Sequence, residues 1–254
     1  MAARLLDGRA LAAALAALAL AALLAWGASP YARYLSHAYE PASVAGQAEA
    51  LALFLGGWLL MSTALMLPAA SELLRLFDRV VGARPSAERL RLRLLVVAGF
   101  LAVWLLVGYV FRSADVGVHA TVDAIGWLGA RPALIGASAL ALAGAFQFSS
   151  LKHRCLTRCR TPRAFIVSGW GGARPRADAL RIGFAYGRSC VGCCWALMLV
   201  MFGVGTANLA VMLALAAVTA GERYAPPAAG RRLGHALGAL LLAGAAALAA
   251  GAIA

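Results

Sequence analysis

Apolar residues fall into seven long blocks with few charges, near 10–28, 49–70, 94–111, 132–149, 183–203, 205–221 and 233–253. A helix crossing a hydrocarbon core needs about 20 residues, and each block meets that length within a few positions. The pattern predicts an all-α polytopic transmembrane bundle of seven spans. The fifth and sixth blocks meet at Gly203-Val-Gly-Thr206, which predicts a tight reversal. Arg4 and Arg9 ahead of the first block, with small residues after it, also fit a cleaved signal peptide. Its apolar run is long for one, which favours a retained helix. With no internal repeat and no separate soluble segment, residues 1–254 read as one integral membrane domain.

Composition agrees with this reading, because 63% of the residues are hydrophobic and the mean hydropathy is +0.82. Ordinary globular domains carry about 45–50% apolar residues. The net charge of +13 would suit nucleic acid. Here the cations lie between apolar blocks, where juxtamembrane loops explain them better. With the N-terminus inside, twenty cationic residues fall in inner segments. Only Arg33, Arg112 and Arg131 fall outside. That asymmetry predicts an N-terminus in the cytoplasm of a bacterium, a chain in its inner membrane and a C-terminus in the periplasm. The inner loop 150–182 carries eight cations, which would attract anionic headgroups at roughly 1 kcal/mol each.

Cysteine is confined to two short segments, Cys155 and Cys159 in one and Cys190, Cys193 and Cys194 in the other. The predicted topology puts both on the cytoplasmic side, where thiols stay reduced and a structural disulfide is disfavoured. If the fourth helix runs on until Pro162 stops it, Cys155 and Cys159 share a face at i, i+4. Cys190, Cys193 and Cys194 do so at i, i+3, i+4. Two thiols then oppose three, a donor set suited to Cu(I) or Zn(II), with sulfur content favouring copper. His153 and Met198 are candidate auxiliary ligands. Lys152, Arg154, Arg158, Arg160 and Arg188 are placed to offset thiolate charge. Thiol redox chemistry and plain packing are the competing readings of the same residues.

The chain resembles a bacterial family of predicted metal-binding integral membrane proteins. The resemblance rests on Trp58-x-x-Met61, Met66-x-Pro68, Gln147-x4-Lys152-x2-Cys155-x3-Cys159-Arg160-x-Pro162 and Gly187-x2-Cys190-x-Gly192-Cys193-Cys194-Trp195-x-Leu197-Met198. It continues through Gly205-x2-Asn208-Leu209-x2-Met212 and Glu222-Arg223. It implies a multi-pass metal-binding protein and no particular reaction. Leu65 stands where that family usually has a second methionine, and Tyr186 where it often has histidine.

Other positions carry weaker signals. Asp115, His119 and Asp123 align at i, i+4, i+8 as a row that would suit a divalent ion or a solvated face. His37 and Glu40 lie in the first outer loop. Gln147 and Asn208 read as helix-to-helix hydrogen-bonding groups, and Glu222 as an interfacial ion pair with Arg223. Met61, Met66, Met201 and Met212 read as packing or as a copper relay. Ser168-Gly-Trp-Gly-Gly172 reads as a flexible turn with a membrane-dipping Trp. Trp26, Trp58, Trp104 and Trp127 suggest interfacial belts. Gly230, Gly234 and Gly238 offer a smooth face for a close neighbour. These observations predict a membrane protein that holds a soft transition metal for delivery, transport or metalloenzyme assembly, with a metal-donor or metal-acceptor protein as partner. A membrane thiol or quinone redox enzyme and a non-catalytic subunit of a larger complex are the alternatives. No nucleophile–base pair points to a hydrolase.

Overall fold

A computed structural model describes residues 7–35, 43–204 and 208–253, and the apolar blocks are carried on helices. Among the described residues there is no strand. The helices are α1 (Gly8–Gly27), α2 (Val44–Met66), α3 (Ser71–Val81), α4 (Ser86–Ala124) and the short α5 (Gly126–Gly129). They continue with α6 (Ala133–Phe146), α7 (Ser150–Arg160), α8 (Arg163–Gly169), α9 (Pro175–Val204), α10 (Leu209–Tyr224) and α11 (Pro227–Ile253). The protein is therefore all-α. Arg4, His37, Glu40, Gly205 and Thr206 lie outside the described residues, as do the side chains of Asp123 and Met201.

Among the described residues, five helices, α1, α2, α4, α9 and α11, are long and apolar enough to cross a membrane. The fourth block does not continue straight to Thr161 as expected. It breaks after Phe146 and turns by 62° into α7. Ser149 drives the break by capping the new helix, its hydroxyl accepting from the Lys152 amide at 3.1 Å. Pro162 then ends α7 as the sequence predicts, because a proline ring blocks the preceding helical turn. Asn208 caps α10 by accepting from the Val211 amide at 3.2 Å, so its side chain serves its own helix rather than a neighbour. With 16 residues, α10 is about 24 Å long and shorter than a typical span.

Glycines set the closest helix contacts. A Cβ on Gly183 would overlap the Val96 carbonyl of α4, and one on Gly99 would overlap the Leu180 carbonyl of α9. The two backbones therefore touch where side chains are absent. On the far side, Gly144 of α6 and Gly238 of α11 meet in the same way. Trp58 and Trp104 are core residues rather than belt residues. Both are fully buried, and the Trp58 indole donates to the Trp104 carbonyl at 2.8 Å. Trp127 is 60% exposed, as an interfacial residue should be.

Polar contacts collect many helix ends at one end of the bundle. The Gly8 amide of α1 donates to Asp78 of α3 at 2.7 Å, and Arg93 of α4 donates to the same carboxylate. Buried Leu73, Leu74, Phe77 and Val81 press α3 against the bundle, and of its charges Arg79 is left exposed while Asp78 turns inward. Trp170 does not dip outward as expected. Its ring packs edge-on against Phe77 at 5.3 Å with the Arg84 guanidinium over it. Asp178 accepts from both the Gly171 and Gly172 amides at 2.9 Å and closes this turn, which needs glycine because Gly172 has φ 79°.

Gly183→Leu should force α4 away from α9 and lower stability by about 1–3 kcal/mol or more. Thermal unfolding in detergent checks this. Gly251→Leu, where an added Cβ meets open space, should leave the transition unmoved.

Candidate metal centre

The bend between α6 and α7 turns the Cys155–Cys159 segment across α9. Cys159 is 1% exposed and belongs to the same core cluster as Cys190, Cys193 and Cys194. The Cys193 and Cys194 thiols both donate to the Cys190 carbonyl, at 3.0 and 2.9 Å, as i, i+3, i+4 spacing on a helix allows. The Met66 sulfur, at the end of α2, lies 3.9 Å from the Cys194 sulfur. Four cysteines and one methionine from three helices therefore fall in one buried cluster. No cysteine in the chain is in a disulfide.

The remaining predicted donors lie around this group. Cys155 is half-buried one turn back on α7, packed where Gly192 leaves room for its sulfur. Met198 is fully buried four residues beyond Cys194. His153 faces elsewhere, with its Nδ1 at 2.7 Å from the Ser149 carbonyl and its ring edge-on to His235. Asp115 is engaged by Arg112 at 2.9 Å, and His119 Nδ1 lies 3.0 Å from the Asp115 carbonyl. Among the methionines of the weak relay reading, Met66 was not singled out as a ligand. Its spacing from Pro68 carried the only hint.

A cavity of about 80 Å³ opens beside the sulfurs, lined by Met66, Cys190, Cys193, Cys194 and Glu222 among others. Among the described residues, no three His, Cys, Asp or Glu side chains converge as a closed metal site. The reason is visible in the thiols. Two of them spend their S–H on the Cys190 carbonyl and would have to turn from it to face a common ion. The donor chemistry fits a soft cation, because thiolate and thioether ligands select Cu(I), which needs fewer of them than a tetrahedral ion does.

A family model described as PpoB2, copper chaperone, matches residues 55–248. The chain belongs to this copper-chaperone family. The match takes in every cysteine, Met66 and Glu222. No curated protein and no solved structure matches the chain. Copper is thus the cargo that the family implies, and the sulfur group is the part of this family member chemically equipped for it.

The charges around the thiols are not where sequence spacing suggested. Lys152 is 1% exposed and donates to Glu222 of α10 at 2.5 Å and to the Gln147 side-chain carbonyl. Glu222 therefore pairs with Lys152, not with Arg223. A buried ammonium requires such partners, and the pairing takes this cation out of the thiolates' reach. Arg223 instead donates to the Cys159 carbonyl at 3.0 Å and lies over the Tyr186 ring. Tyr186, in the position where histidine is common, donates its hydroxyl to the Ala69 carbonyl at 2.9 Å. It acts as a brace between α9 and the end of α2. The glycine face of α11 covers the ion pair, since a Cβ on Gly234 would sit 2.5 Å from Glu222 Oε1.

Lys152→Met should cost about 3–5 kcal/mol by leaving the Glu222 carboxylate buried without its cation. Lys152→Met/Glu222→Leu should recover most of that loss, and a thermal double-mutant cycle would measure it.

Proposed function

We propose that this chain is a multi-pass protein of the bacterial inner membrane that receives Cu(I) at a cytoplasmic-side sulfur centre and hands it to an acceptor. The observation carrying this reading is the clustering of Cys159, Cys190, Cys193, Cys194 and Met66 beside a small cavity in a member of a copper-chaperone family. Cys159 and the α9 thiols take the ion in two- or three-coordinate form, with the Met66 thioether as neutral donor. Cys155 and Met198 are secondary donors near this set, whereas His153 faces His235 and is not among them. Cu(I) is favoured over Zn(II), since a thioether is a poor ligand for zinc, whose structural sites use thiolate, imidazole and carboxylate. The excess of arginine at one end of the bundle supports a cytoplasmic placement of that end, facing anionic headgroups. Residues 1–254 then form one membrane domain with the seven apolar blocks at membrane depth. The sixth, on α10, buries Met212, Leu215 and Glu222 and leaves Leu213 exposed.

Full-length protein loaded anaerobically with Cu(I) should hold about one copper per chain, measured by elemental analysis after gel filtration. Cys190→Ser/Cys193→Ser/Cys194→Ser should lose it, and an equimolar Zn(II) challenge should not displace it. Unchanged copper in the triple variant would reduce the cysteines to packing groups. A metal-free protein cycling through a Cys159–Cys190 disulfide would favour the redox reading instead.

A further inference from the structure

Two wide clefts lie at the arginine-rich end of the bundle. The outer, of about 560 Å³, runs between α3 and the α7–α8 turn and includes Arg75, Arg79, Arg160 and Arg163. The inner, of about 340 Å³, includes Arg9, Arg160, Arg223 and Cys159. They share Glu72, Arg160 and Pro162 as walls, so they form one passage ending at Cys159. Six arginines line it against one carboxylate. That carboxylate is already saturated, since Glu72 accepts from Arg75 at 2.9 Å and from Arg9 at 2.6 Å. Hydrogen bonding from Arg75, and then from Arg9, holds the Glu72 carboxyl down at about 2. Arg79 and Arg163 are exposed, and among the described residues neither is paired with a carboxylate.

A bare Cu(I) ion would be repelled by this passage, so the species entering it carries negative charge. Each cleft also lies in the roughly 300–1,000 Å³ range of small-molecule sites. Cys159 lines the inner cleft and belongs to the same core cluster as the three cysteines that line the sulfur cavity. Resting on the copper reading above, we propose that the passage admits Cu(I) as an anionic complex with a small carboxylate-bearing thiol and that Cys159 makes the first exchange. Two Cu–S bonds to the incoming thiolates break, and two form to protein sulfurs. Copper stays Cu(I) throughout. Two protons pass from the protein thiols to the departing thiolates, which leave as thiols. The S–H groups of Cys193 and Cys194, held on the Cys190 carbonyl, supply protons of this kind without an added base.

The test is the rate of copper transfer to full-length protein in detergent from two probes, Cu(I) bis-glutathionate and Cu(I) bound by dithiothreitol, which has no carboxylates and leaves its complex with only the thiolate charge. Arg79→Gln/Arg163→Gln should slow transfer from the glutathione complex by about tenfold at low ionic strength and flatten its salt dependence. Transfer from the dithiothreitol complex should slow far less, and the final copper content should not change. Equal rates in wild type and variant with the glutathione probe would overturn the proposal and leave the sulfur centre standing. Equal slowing with both probes would also overturn it. Wild type that accepts copper only from a protein donor with an acidic face would assign the passage to that partner instead. Wild type that takes copper from no source would overturn the copper reading and this one with it.

Discussion

The Lys152–Glu222 ion pair is the interaction on which the site depends. An ammonium and a carboxylate, each almost fully buried, are tolerable in an apolar bundle only in contact with one another. Their contact fixes α7 against α10. It also requires α11 to present glycines there, because any side chain at Gly234 would collide with the carboxylate. With α7 held in this way after its 62° turn, Cys159 is buried in one core cluster with the cysteines of α9.

The same tether separates charge from sulfur. Lys152 and Arg160 are close to the cysteines in sequence, yet both are bound to α10, Arg160 through the Glu222 and Ala225 carbonyls. The sulfur cavity is left with soft donors and neutral surroundings apart from Glu222 and Arg223. Such surroundings suit a singly charged soft ion shared between few thiolates better than a dication needing four ligands. Arginines instead line the two clefts that the proposed route passes through, where long-range attraction is useful and tight coordination is not.

Much of this architecture was legible in the chain. Seven apolar blocks became helices because block length and hydropathy report helix-forming, lipid-compatible segments directly. The i, i+3, i+4 spacing of Cys190, Cys193 and Cys194 gave a shared face, and α9 carries it. The break at Ser149 was missed because a serine cap costs no hydrophobicity and so leaves the block's outline unchanged. Met66 was underweighted because methionine is common filler, and only the approach of α2 to α9 distinguishes it. Trp58 and Trp104 were misplaced since tryptophan suits both an interface and a core, and Gly108 makes the difference by leaving space for the Trp58 ring. The partner of Glu222 was invisible for a simpler reason. Arg223 is adjacent in sequence, but neighbouring residues on a helix point apart, whereas Lys152 arrives from another helix.

The central claim is that copper sits among sulfurs supplied by α7, α9 and α2. X-ray absorption at the copper edge of the Cu(I)-loaded, full-length protein tests it most directly. The account predicts a first shell of two or three sulfur neighbours with no nitrogen or oxygen. A shell dominated by nitrogen or oxygen would place the ion elsewhere and contradict it.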